Sequence, residues 1–113
     1  MIEEFYYKGN FINNKQPDNV VFLKNNKYMK IKKIYTIKKK PIYNLKSKDI
    51  KIEGTILIPE SLFDYPVDSI SVGFAKIVDS EFIESYDVSY VQRKCYYCTY
   101  DNNQYAVKML HDR

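Results

Sequence analysis

The stretch Val20-Val21-Phe22-Leu23-Lys24-Asn25-Asn26-Lys27-Tyr28-Met29-Lys30-Ile31 decides the fold class. Two apolar runs flank an Asn pair, and Asn tolerates the positive φ that a tight hairpin demands. Folding about Asn25-Asn26 sets Phe22 opposite Met29 and Val20 opposite Ile31. Directly opposed residues share a sheet face, so these four predict one apolar cluster. The alternation continues through Ile31, Tyr35 and Ile37, interrupted by Lys33, while Lys30, Lys32, Thr36 and Lys38 fall on the other side. That is the period of a half-buried strand with a lysine-bearing outer face.

Upstream, Lys8-Gly9-Asn10-Phe11 predicts a two-residue hairpin loop with Gly first. Downstream, Ile50, Ile52, Ile56 and Ile58 alternate with Lys51, Glu53, Thr55 and Leu57. Gly54 stands on the apolar row and marks a bulge or a close backbone approach. Pro59 predicts the strand's end, and Glu60–Tyr65 one or two helical turns before Pro66. Ile70, Val72 and Phe74 read as a further strand. Residues 79–91 fit a helix or a strand: Phe82, Ile83 and Tyr86 suit a short helix, whereas Tyr86, Val88 and Tyr90 alternate. A last hairpin about Asn102-Asn103 opposes Tyr100 to Tyr105, Cys98 to Val107 and Tyr96 to Met109. Cys95, Tyr97, Thr99, Ala106, Lys108 and Leu110 take its other face.

The expected fold is mainly β, with a β-rich α+β arrangement as the alternative: a small barrel or sandwich of about seven antiparallel strands with at most one or two short helices. With 113 residues and neither repeat nor linker, residues 1–113 read as a single globular domain. The apolar runs are only a few residues long, so no transmembrane helix is expected.

Lys (16), Ile (13), Tyr (12) and Asn (9) dominate the composition, while Arg occurs twice and Trp never. These four have the most AT-rich codons, which points to a low-GC bacterium, a phage, a mobile element or an AT-rich virus. Residues 1–53 hold 13 lysines against five acids, a charge of +8, and residues 54–113 carry −4. The basic half peaks over Lys24–Lys51 with Lys38-Lys39-Lys40 at its centre, and Lys30, Lys32, Lys38, Lys39 and Lys40 are the candidate contacts for nucleic acid or another anion. A solvated lysine-rich strand is the plainer reading of the same residues. The carboxy-terminal half holds more tyrosines than one small core hides, so Tyr86, Tyr90, Tyr97 and Tyr100 are candidates for a protein interface.

Catalytic chemistry is scarce. Cys95-Tyr96-Tyr97-Cys98 resembles half a zinc site or a redox pair only on a turn or a helix start. On an extended strand its two thiols point to opposite faces about 10 Å apart, beyond disulfide reach. A second CxxC is missing, so no metal or cofactor is expected. His111 stands three residues from the end with no rigid carboxylate or nucleophile beside it. Glu81 with Glu84, or Asp64 with Asp68, has nothing to fix its spacing across a cleft. Gly9, Gly54 and Gly73 are isolated, so no phosphate loop is present.

These readings predict a small non-enzymatic binding protein that acts on a nucleic-acid-handling protein or its nucleic acid, for example an inhibitor of a host defence nuclease. The alternative is a structural or assembly protein, such as a virion, tail or homo-oligomeric component. An enzyme using Cys95, Cys98 or His111 ranks last. A protein partner is expected, with weak non-specific nucleic-acid contact, no membrane, and self-association as a possible state. Two reduced thiols and an N-terminal MIEEFYYKGN without leader character predict a cytoplasmic location, the host cytoplasm for a viral protein.

Overall fold

The structure is a computed structural model that describes residues 4–7, 10–15, 19–36, 49–63, 65, 68–70 and 73–108. Expectations placed on Ile37, Lys38, Lys39, Lys40, Asp64, Val72, Met109, Leu110 and His111 lie outside these residues. The strands are β1 (Glu4–Tyr7), β2 (Asn10–Asn13), β3 (Val20–Leu23), β4 (Tyr28–Tyr35), β5 (Lys51–Glu60), β6 (Phe74–Asp87), β7 (Val91–Tyr100) and β8 (Asn103–Lys108). A 3-10 turn, Val88–Tyr90, joins β6 to β7. Strands β3-β4-β5-β6-β8-β7 close into an antiparallel barrel, and β1-β2 form a separate two-stranded sheet. Among the described residues no helix is long and apolar enough to cross a membrane.

Two cores explain the burial pattern. The first draws Val20 and Phe22, Tyr28, Leu57, Ala75 and Ile77, Cys95 and Tyr97, and Ala106 from all six barrel strands, which makes it the barrel interior. The second lies on the opposite side of β3, β4 and β5. There Val21, Leu23, Met29, Ile31, Ile34, Ile52 and Ile56 pack under Ile12 of β2, Val88 of the 3-10 turn and Val91. Strand β3 is therefore buried on both faces.

That double burial hides the register of the first hairpin. Val20 faces Lys30, Val21 faces Met29 and Phe22 faces Tyr28, one residue away from the expected pairing. The loop has three residues instead of two: the Leu23 amide donates to the Lys27 carbonyl at 2.8 Å and the Asn26 amide to the Leu23 carbonyl at 3.0 Å. Asn26 takes the left-handed conformation, φ 67°. A one-residue slip normally turns every side chain to the wrong face. Here Val20-Val21-Phe22-Leu23 is apolar throughout, so either register buries it.

A bulge breaks the alternation further along. Between Ile31 and Lys33 the β4–β5 register shifts, so Ile34 returns to the core where Tyr35 was expected. Gly54 does mark a close approach: a Cβ there would stand 2.1 Å from the Lys30 carbonyl oxygen. A second shift, in the β5–β6 pairing between Thr55 and Leu57, leaves the alternation of β5 intact: Leu57 faces the barrel interior, Ile56 the second core, and Ile58, on the side of Ile56, is exposed. Pro59 does not end β5, which runs on to Glu60 with Pro59 opposite Ile77. The described residues of 60–65 form no helical turn. The ambiguous stretch 79–91 is strand to Asp87, then the 3-10 turn, then strand again.

Both other hairpins occur with their loops displaced. Tyr7 faces Asn10 in the first. In the last, Tyr100 faces Asn103 across Asp101-Asn102, whose φ values are 53° and 65°. The displacement there is two residues in pairing, which preserves the faces: Cys98 opposes Tyr105 and Tyr96 opposes Val107, with Cys95, Tyr97 and Ala106 buried on the other side.

Candidate interaction surface

Strands β5, β6, β8 and β7 spend one face on the barrel interior, so their alternate side chains point outward. The register arranges these in rows. Phe74 pairs with Val107, which pairs with Tyr96. Next, Glu60 pairs with Lys76, Lys76 with Tyr105, and Tyr105 with Cys98. One step further, Ile58 pairs with Val78, and Tyr100 lies at the β7 end of that level. Tyr96 is 68% exposed and Tyr100 76%, and Ile58, Phe74 and Val78 are exposed as well. The middle row carries the charges, with Lys76 Nζ 3.9 Å from Glu60 Oε1. A contiguous apolar and aromatic sheet face of this kind is the signature of an interaction site.

The four tyrosines expected at an interface separate into different roles. Only Tyr100 projects into solvent. Tyr97 does not: it is 7% exposed and its hydroxyl donates to Gln104 Oε1 at 2.8 Å inside the barrel. Its strand parity with Cys95, opposite the small Ala106, turns it inward. Tyr86 and Tyr90 are half-buried and stack on one another at 4.6 Å, covering the second core. The Tyr86 hydroxyl accepts from Asn25 Nδ2 at 3.0 Å and donates to Glu84, whose charge raises the phenol's pKa. Tyr96, which the sequence did not single out, is the missing surface residue. Its shared parity with Tyr100 was the signal that should have found it.

The lysine row also changes. Lys30 is a correction to the expected solvent face: it is 5% exposed. It shares the inward parity of Tyr28, and the bulge after Ile31 separates it from Lys32. Its ammonium group lies 3.0 Å from Asp79 Oδ1, also donates to Gln104 Oε1, and sits 5.5 Å from the Tyr97 ring centroid. Gln104 Nε2 donates to the same Asp79 oxygen at 3.0 Å. Burial would raise the Asp79 pKa, but the bonds from Gln104 and Lys30 outweigh it and hold the carboxyl below its ordinary value. Lys32 and Lys33 are exposed. Elsewhere the basic half folds onto the acids of β6, with Lys27 3.0 Å from Glu84 and Lys51 2.9 Å from Asp87.

Cys95 is buried and Cys98 exposed, on opposite faces of β7 as the strand period requires. Burial pushes the Cys95 thiol up to about 12. Tyr28 is fully buried, its hydroxyl has no hydrogen-bond partner among the described residues, and burial raises it to about 12. Of the acid pairs, Glu84 is committed to Tyr86 and Lys27. An open hollow beside β5 is lined by Ser61, Leu62, Phe63 and Asp68. Its polar groups are engaged locally: Ser61 Oγ lies 2.8 Å from Asp68 Oδ1, and Ser69 Oγ accepts from the Leu62 amide at 2.7 Å.

The fold and this surface define a closed six-stranded barrel with one covered flank and one open aromatic flank. The chain belongs to a family described as a domain of unknown function (DUF8592), whose model matches residues 1–110. Neither the curated proteins nor the solved structures contain a match to it.

Proposed function

We propose that this is a small binding protein that docks a protein through the outer face of β5, β6, β8 and β7. The observation that carries the reading is the outward placement of Tyr96 and Tyr100 among Phe74, Ile58 and Val78. Aromatic side chains give large contact area at low entropic cost, which is why interfaces concentrate them. Lys27, Lys30 and Lys51 of the basic half pair with acids of β6, which commits these three within the fold and supports a protein as the principal partner. An AT-rich mobile element or its host, and a nucleic-acid-handling target, remain the context that composition supports.

The test is a photo-crosslinking amino acid placed at Tyr96, at Tyr100, and at Lys24 as a control away from this face, in cells that carry the gene. A discrete protein adduct at Tyr96 and Tyr100, absent at Lys24, is the expected result. Adducts of equal yield at all three positions would remove the face from consideration.

A further inference from the structure

Resting on that reading of the face, we propose that its occupant is a second copy of this chain, packed sheet against sheet about a two-fold axis. The six barrel strands pair around a closed ring, so the part of the barrel offered to a copy is its outer sheet face. The flank outside β3, β4 and β5 is already filled by Ile12, Val88 and Val91. The aromatic flank is open, and among the described residues Phe82 and Ile83 of β6 and Leu62, Phe63 and Tyr65 beyond β5 are exposed apart from it.

Two properties of that flank suit self-pairing. The first is area. A buried aromatic side chain covers about 150–250 Å². At their exposures, Tyr96, Tyr100, Phe74, Ile58 and Val78 together offer on the order of 500 Å². The middle row adds its share, towards the roughly 800 Å² per partner of a stable interface. The second is charge. The middle row holds one acid and one base on neighbouring strands, Glu60 and Lys76. Under a two-fold axis an isologous contact pairs residue i with j and j with i. Glu60 of each copy then meets Lys76 of the other, and the face opposes itself without like-charge contact. Sheets packed in this way lie about 10 Å apart with interdigitating side chains.

The experiment is sedimentation velocity of the full chain over a range of micromolar concentrations, for wild type, Lys76→Glu, Glu60→Lys and an equimolar mixture of the two variants. Wild type is expected to dimerise. Each variant opposes like charges across the axis and loses roughly tenfold or more in dimer affinity. The mixture restores a heterodimer, because one variant's face is acidic and the other's basic; restoration also shows that both variants are folded. A wild-type monomer at every concentration overturns self-pairing. If Tyr96 then still crosslinks to a different protein in cells, the docking face stands and only its occupant was wrong. A wild-type dimer indifferent to both substitutions, with Cys98 reacting as fast as in the monomer, overturns self-pairing on this face and removes support for the face itself.

Discussion

The ammonium group of Lys30 on β4 lies 3.0 Å from Oδ1 of Asp79 on β6, across the mouth of the barrel interior. The lysine side chain is 6% exposed and the aspartate 49%. The pair is therefore asymmetric, since only the lysine depends on its partner for solvation.

Asp79→Asn should accordingly destabilise the fold more than Lys30→Met. Removing the carboxylate leaves a buried charge with a weaker acceptor and costs about 2–3 kcal/mol, less than for a fully buried pair. Lys30→Met keeps the stem against Tyr97 and lets Asp79 turn to water, for a change within about 1 kcal/mol. Urea titration of both variants measures the difference. An equal loss would mean that the pair is not desolvated on one side.

Acid should weaken the protein through the same strand. Asp79, Glu84 and Asp87 are each held below their ordinary values. Bonds from Gln104 and Lys30 outweigh burial at Asp79, Tyr86 and then Lys27 act on Glu84, and Lys51 acts on Asp87. A carboxyl whose folded pKa is depressed contributes stability that is fully present above its unfolded value. That contribution is lost as pH falls from the ordinary carboxylate values of 3.8–4.5 through the lower folded ones. Thermal melts between pH 7 and pH 2 should show a plateau and then a decline starting near pH 4.5. In Lys51→Met the decline should be shallower.

Gly54→Ala should be severe. The added Cβ would lie 2.1 Å from the Lys30 carbonyl oxygen, a backbone atom that cannot swing aside. A loss of at least about 3 kcal/mol is expected, or failure to fold. Wild-type stability would mean that β4 and β5 do not approach each other here.

Tyr28→Phe should be neutral or stabilising by about 1 kcal/mol, because the hydroxyl it removes is buried with no partner among the described residues. Denaturant midpoints of the two proteins decide it, and a clear loss would reveal a hydrogen bond at that oxygen.

The fold class was legible because the apolar runs, the Asn-bearing turns and Gly54 all speak the language of strands. What was not legible has local causes. Val20-Val21-Phe22-Leu23 is apolar on both faces, so alternation carries no register information there. The bulge at Ile31/Lys33, with Gly54 opposite Ile31, reverses the parity of Tyr35, whereas Ile58 keeps the parity of Ile52 and Ile56 and is nonetheless exposed. Lys30 reads as a surface residue because its compensation, Asp79 and Gln104, lies 49 and 74 residues away. In the last hairpin the sequence separated the two faces correctly and left open which one turned inward. Had Ala106 opposite Tyr97 been used as the sign of the crowded side, Tyr96 and Tyr100 would have been assigned to the surface together.

The central claim, that the outer face of β5, β6, β8 and β7 is the working surface, is tested most directly by Cys98. The chain has two cysteines, and Cys95 is buried, so native alkylation reports on Cys98 alone. The measurement is its alkylation rate in intact cells carrying the gene, set against the rate in dilute purified protein. The account predicts rapid reaction in the dilute protein and marked protection in cells, lost in Tyr96→Ser/Tyr100→Ser. Equal rates in both settings, with the protein at its natural level, would contradict it.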